Sequence, residues 1–143
     1  MSSGLVTFVL GLREYATPLS SIREVVRLEG LADLPGMTPP LAGVLDLRGT
    51  ALPVLDLRLG DVSERGDVLV VESSEGNLVG VAVNRVHAVV AETELTLAGG
   101  AGEELPSYVV DVLRGPNGTV FLVDLPMMVE SARNAAADRG VSL

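Results

Sequence analysis

The chain repeats itself, and this limits its architecture more than any other feature. The stretch YATPLSSIREVV, ending at Val26, aligns without gaps on VGVAVNRVHAVV, ending at Val90. Leu19 falls on Val83, Ile22 on Val86, and Val25-Val26 on Val89-Val90. A looser match sets Arg48-Gly49 of LDLRGTALPVLDL against Arg114-Gly115 of DVLRGPNGTVFLVDL, and Asp56-Leu57 against Asp124-Leu125. Both matches run in the same order, and apolar positions persist where polar ones differ, the mark of a packing unit used twice. The copies span approximately residues 5–60 and 67–130. Each is too small to be stable alone, so the pattern predicts two similar lobes that share an apolar seam, with a groove between them as a natural docking surface.

The building blocks are strands. Short runs rich in Val and Leu recur at Leu5–Leu12, Tyr15–Leu19, Ile22–Leu28, Leu41–Leu47, Ala51–Leu57, Asp67–Val71, Leu78–Val83, Val86–Val90, Tyr108–Leu113 and Thr119–Leu125. Such close spacing argues for barrels or sandwiches and against βαβ units. Leu12-Arg13-Glu14 reads as a hairpin loop, and Pro116-Asn117-Gly118 as a stronger one, since Asn-Gly accepts the positive φ of tight hairpins. Helix is expected only at residues 126–138, where Pro126 opens a segment with Met128, Val129, Ala132, Ala135 and Ala136 along one face. A shorter turn is expected after Asp56, ended by Gly60, and 139–143 form a tail. Ala98–Gly102 reads as a flexible loop without a phosphate-binding spacing.

Composition removes several chemistries. There is no cysteine, hence no disulfide, thiolate nucleophile or Cys-based metal site, and no basic segment precedes the apolar LVTFVLGL to make it an export signal. A reducing cytoplasm is the expected location. All ten basic residues are arginine, so a Schiff-base or phosphate-loop lysine is absent. A net charge of −9 and only two Tyr and two Phe disfavour nucleic acid and favour partners with basic patches. No apolar run reaches the roughly 20 residues of a membrane-spanning helix.

Few residues invite a chemical role. Asp56 and Asp124, one per copy, suggest an acidic pair sharing a proton, but Leu-Arg and Leu-Pro follow them where small residues are needed. A strand-ending, turn-capping role fits better. His87 is the only histidine and aligns with Arg23, which suits an exposed side of a strand. No catalytic set, metal ligand set or cofactor motif emerges. Arg48 stands out as a charge inside an apolar hairpin. It is either a structural ion-pair member, with Asp46 and Asp56 the obvious partners, or a guanidinium presented to a partner's carboxylate or carbonyls. Gly49 beside it suits a turn with positive φ. Glu24 shares the parity of Ile22 and Val26, a charge on an apolar face unless a bulge or strand edge turns it outward.

The succession FVLGLREYATPL, IREVVRL, LPGMTPPLAGVLDLRGTALPVLDLRLG, and then the weaker GVAVNRVHAVV and TVFLVDLPMM resembles the CheW-like family over residues 5–130. The resemblance implies a mainly β fold of two SH3-like five-stranded β-barrel lobes sharing a core, with a C-terminal α-helix. It implies a non-enzymatic adaptor that binds the regulatory domain of a chemotaxis-type histidine kinase and the cytoplasmic tip of a methyl-accepting chemoreceptor, at membrane-associated arrays. Arg48 and Gly49, with Leu47 before them, correspond to the family's sensitive Arg-Gly, and Glu24 with Ile22 to its receptor-facing strand. The chain departs from the family's usual residues at Asp46, Asn84, Ala88 and Asp111. A divergent scaffold of a pilus, surface-motility or other kinase pathway is the alternative that these departures raise.

Overall fold

In the computed structural model, residues 4–33, 35–60, 66–97 and 104–138 are described, 136–138 by backbone alone. Eleven strands follow one another among them: β1 (Gly4–Leu10), β2 (Arg13–Pro18), β3 (Ile22–Arg27), β4 (Leu41–Leu47), β5 (Thr50–Asp56), β6 (Asp67–Glu72), β7 (Leu78–Val83), β8 (Arg85–Ala91), β9 (Thr96–Leu97), β10 (Val109–Gly115) and β11 (Gly118–Val123). A helix, α1 (Leu125–Asp138), ends the described chain. Ten strands coincide with the ten apolar runs. The two-residue β9 has too little apolar pattern to be seen in sequence. The first hairpin turns one residue earlier than expected, at Gly11-Leu12, because Arg13 and Glu14 already pair with Leu10 and Val9. In the β10–β11 hairpin the left-handed φ sits on Gly118, at 119°. No helical turn follows Asp56; instead its Oδ1 accepts the Arg58 N–H at 3.0 Å and bends the chain. Residues 98–103 and 139–143 lie outside the described residues.

Two sheets form. One has the order β8-β1-β2-β11-β10-β9 and the other β3-β6-β7-β5-β4. Neither backbone ladder closes into a full barrel, and β9 makes one lobe six-stranded, but the two-lobed SH3-like arrangement holds. The repeat explains the strand orders. Position for position, β8, β1, β2, β11 and β10 answer β3, β6, β7, β5 and β4. Each sheet therefore joins the first two strands of one copy to the last three of the other through two junctions, one antiparallel (β8 with β1, β3 with β6) and one parallel (β11 with β2, β5 with β7). The register agrees with the sequence alignment, for Leu122 pairs with Ala16 as Val54 pairs with Gly80. Both copies also bulge at the same place, where the extra residue is Arg23 in β3 and its matched His87 in β8.

Alternate residues of the central strands serve different cores. Val68 and Val70 of β6 enter a cluster inside one lobe, with Leu45, Leu52, Val54 and Ala82. Leu69 and Val71 enter a larger cluster shared with Phe8 of β1, Val81 of β7 and Val129 of α1. A strand buried on both faces reads as an unbroken apolar run, which is why DVLVVE shows no alternation. The other lobe has a smaller cluster of Leu5, Ala16, Leu113 and Val120. The expected seam between lobes is thus the largest core in the molecule. Gly43 marks the tightest backbone approach: a Cβ there would lie 2.5 Å from the Ala32 carbonyl oxygen. Its register equivalent in the second copy is Asp111, whose carboxylate accepts the Val112 N–H.

Helix α1 buries Leu125, Met128 and Val129 in the shared core, while Ala132 is half-buried and Ala135 exposed. No helix among the described residues is long and apolar enough to cross a membrane. Asp124 starts α1: its Oδ1 accepts the Met127 N–H at 3.1 Å, and its carbonyl accepts that of Met128. Removing that cap exposes unpaired N–H groups at a helix that is part of the shared core. Asp124→Ala is expected to lower unfolding stability by about 1 kcal/mol, measured by urea denaturation, with the strand spectrum unchanged.

Candidate functional site

The β4–β5 hairpin turns through two residues, because Leu47 already pairs with Thr50. Arg48 has φ 49° and Gly49 φ 88°. Two positive φ values define the type I′ turn that matches strand twist, a turn usually made by Asn-Gly or Gly-Gly. Glycine adopts its position freely, but arginine pays a steric penalty. Arg48 is the only non-glycine residue with positive φ among the described residues. Asp46 secures the turn: its Oδ1 accepts the Gly49 N–H at 2.7 Å.

The partner of Arg48 is Glu24. Its Nη1 donates to Glu24 Oε1 at 3.0 Å and its Nη2 to Oε2 at 2.5 Å, a bidentate fork. This corrects the expectation that Asp46 or Asp56 would hold the arginine, since Asp46 serves the turn and Asp56 pairs with Arg58. Glu24 lies on β3 and Arg48 at the end of β4, opposite edges of the five-stranded sheet. The pair spans the gap that the backbone ladder leaves open. Ile22, Glu24 and Val26 are half-buried while Arg23, Val25 and Arg27 are exposed, but the bulge at Arg23 breaks the expected common face: Ile22 pairs with Val71, whereas Glu24 and Val26 pair with Val70 and Val68 on the opposite side of β6. Ile22 packs on the shared core, and Val26 and Leu47 on the cluster of the same lobe. A bulge does part Glu24 from the face of Ile22, as one alternative had it, and leaves it on the face of Val26, where it meets Arg48.

Hydrogen bonding from Arg48 holds the Glu24 carboxyl below its ordinary range, against slight desolvation and with help from the cationic charge. The bond to Glu24 likewise raises Arg48. The Arg48 side chain is nevertheless 71% exposed, so solvent and salt screen the pair and its value as a staple is small. It fixes direction more than stability.

The remaining candidates separate. Asp56 and Asp124 each serve their own turn, with no hydrogen bond between them, and the acidic-pair reading has no geometry behind it. His87 stands at the β8 bulge on an exposed face, its Nδ1 2.7 Å from Glu14 Oε2. Arg23, its match, meets Glu72. Among the described residues no three His, Asp or Glu side chains gather to hold a metal ion. Asn84 has a role that sequence did not reveal. Its Oδ1 accepts the N–H groups of Gly11 and Leu59, and its Nδ2 donates to the Leu59 carbonyl. A carboxylate could not make that last bond.

Comparison with known proteins gives consistent matches. The family model described as CheW-like domain matches residues 4–133. The chain is 32% identical over 54 residues to the chemotaxis protein CheW of Bacillus subtilis, covering 38% of this chain and 35% of that protein. It is 37% identical over 54 residues to that of Helicobacter pylori, covering 38% and 33%. With the probable chemotaxis protein CheW of Rhizobium etli it is 30% identical over 96 residues, 63% of this chain and 61% of that protein. The chain thus spans about a third of the first two relatives' length. The crystal structure of the scaffolding protein TtCheW from Thermoanaerobacter tengcongensis superposes with a TM-score of 0.70 at 22% identity, covering 87% of this chain and 86% of that one. That likeness establishes the fold.

Asp56 supplies the pH dependence of the hairpin's base. Burial pushes its carboxyl up, but the Arg58 side-chain and backbone hydrogen bonds and the guanidinium charge outweigh this, leaving it below the ordinary value. A depressed folded value stabilises fully above the ordinary carboxylate range, near pH 4, and the contribution is lost as pH falls through the folded value. Asp56→Asn is expected to cost about 1–2 kcal/mol at pH 7. Urea unfolding of both proteins should show that gap closing as pH drops below about 4.

Proposed function

The chain belongs to the CheW-like domain family, and from that premise we propose that it is a non-enzymatic adaptor coupling chemoreceptors to a chemotaxis histidine kinase in a signalling array. Its partners are the kinase's regulatory domain and the cytoplasmic tip of a methyl-accepting chemoreceptor. Its place is the cytoplasm, at membrane-associated arrays. The names of the relatives, chemotaxis proteins and a scaffolding protein, support this reading.

The observation that carries it is Arg48 in its left-handed turn. A residue kept in a disfavoured conformation at an exposed hairpin tip, and aimed by a bidentate carboxylate, is better explained by presentation than by stability. Two of the guanidinium's N–H directions serve Glu24 and the rest face outward. A Cβ on Gly49 would meet nothing within 4 Å, so a partner's backbone can approach there. Ile22 and Leu47 supply the flanking apolar surface. Nothing in this set attacks, protonates or coordinates a substrate; it recognises. The departures at Ala88 and Asp111 lie on the other lobe and that at Asn84 at the crossover between lobes; they favour, as a second reading, service to a different kinase pathway such as pilus or surface motility.

Arg48→Ala and Glu24→Ala are each expected to weaken binding at least tenfold while the chain stays folded, the Glu24 change acting more on the receptor than on the kinase. The exchanged double variant, Glu24→Arg with Arg48→Glu, restores an ion pair but not the presented guanidinium, so it should remain defective. Calorimetry with the purified regulatory domain and a receptor cytoplasmic fragment measures all three. Unchanged binding in both single variants, or recovery in the exchanged one, refutes the assignment.

A further inference from the structure

The two copies lay the same short strap along the outer edge of their sheets, but in different registers. Carried beyond Val26 and Val90, the gapless alignment places Leu31-Ala32 on Leu95-Thr96. The leucines dock alike: Leu31 packs on the cluster of Leu45 and Leu52 in its lobe, Leu95 on the cluster of Leu113 and Val120 in the other. The next residue then pairs with the outer strand. Ala32 exchanges two main-chain hydrogen bonds with Val44 of β4, at 3.0 and 2.8 Å. Thr96, in β9, pairs with Arg114 of β10, and Leu97 with Leu113. Hairpin register makes Val112, opposite Phe121, the counterpart of Val44, opposite Pro53. The second strap therefore sits two residues nearer its hairpin tip. A slip of one would turn Leu95 out of its cluster; a slip of two keeps the face.

The residue before each counterpart accounts for the difference. Gly43 leaves room for the strap: a Cβ there would lie 2.5 Å from the Ala32 carbonyl oxygen and 2.9 Å from Leu31 Cγ. At the equivalent position after the bulge, β10 carries Asp111, whose Cβ would meet the strap carbonyl if β9 took the first copy's register. Its carboxylate adds a second effect. Val44 donates its N–H to Ala32, whereas Val112 donates its own to Asp111 Oδ1 at 2.9 Å. One side chain thus blocks the other register and satisfies the donor that the slip leaves bare. Among the described residues, no strand pairs with residues 109–112 on that outer side, and Val110 there is 59% exposed.

We infer that Asp111 is a register lock, which holds β9 on Arg114 and off Val112 and so leaves the rim of this lobe open where β4 is bridged at Val44. The lock has a steric part, the Cβ, and a hydrogen-bonding part, the carboxylate. It sets how much unpaired backbone the lobe presents at its edge, and it blunts that edge with a charge. The inference rests on packing and hydrogen bonding and does not depend on the adaptor reading.

Cross-strand contacts and amide hydrogen exchange, both measured by NMR on the full chain, separate the two parts. Asp111→Gly removes both: Thr96 is expected to trade its contacts with Arg114 for contacts with Val112, whose amide stays protected. Asp111→Ala keeps the Cβ, so the strap should remain on Arg114 while the Val112 amide exchanges at least tenfold faster. Asp111→Asn keeps an acceptor oxygen and should match the parent in both readouts. The converse change, Gly43→Ala, should part Ala32 from Val44 and speed exchange of both amides at least tenfold. The lock is refuted if Thr96 stays on Arg114 in Asp111→Gly, if it moves to Val112 in Asp111→Ala, or if Val112 exchange is unchanged in that variant. An undisturbed Ala32 bridge in Gly43→Ala overturns the steric part.

Discussion

The parallel pairings of β2 with β11 and of β5 with β7 are the constraint on which the rest of the structure depends. Each sheet is completed only by strands from the opposite copy of the repeat. Neither copy can satisfy its own backbone, and an open row of N–H and C=O groups is costly when buried. The exchange therefore explains why the largest cluster of buried side chains lies between the lobes: β1, β6 and β7 are common walls with apolar residues on both faces. The smaller clusters inside each lobe then need supply only the remainder.

The same exchange sets what the edges can do. In the five-stranded sheet, β3 and β4 are left as edges, and the bidentate contact of Glu24 with Arg48 spans them. Edge strands are liabilities unless blunted, and a charged clasp across the opening blunts them while leaving a guanidinium in solvent. The matched edge of the other sheet has met the same problem differently. Its bulge residue is His87, and its carboxylate partner Glu14 lies two strands away.

The fold was legible where packing wrote the sequence. The gapless match of Ile22 with Val86 and of Val25-Val26 with Val89-Val90 foretold equivalent strands, and the looser match of Asp56 with Asp124 foretold a turn-capping aspartate at the ends of β5 and β11. Both follow from apolar periodicity or capping chemistry, which act over a few residues. The exchange of strands was not legible, since an alignment of two copies says nothing about which copy pairs with which. The partner of Arg48 was missed for a related reason: Asp46 is close in sequence, but the two-residue turn brings the Gly49 N–H to it first, and Glu24 arrives from across the sheet. The Asn84 clasp gave no signal because its three partners are main-chain groups, whose identity no side-chain pattern records.

A chain that crosses from one sheet to the other between β2 and β3, and back between β7 and β8, has no hinge. Separating the lobes would mean opening the shared core that contains Phe8, Leu69, Val81 and Val129, not bending a linker. The hairpin tip bearing Arg48 and the one bearing Leu12 are therefore held as by a gauge block, at one spacing and one angle. Whatever grips both tips is given a fixed ruler, and any signal that passes through this molecule passes as displacement of the whole body.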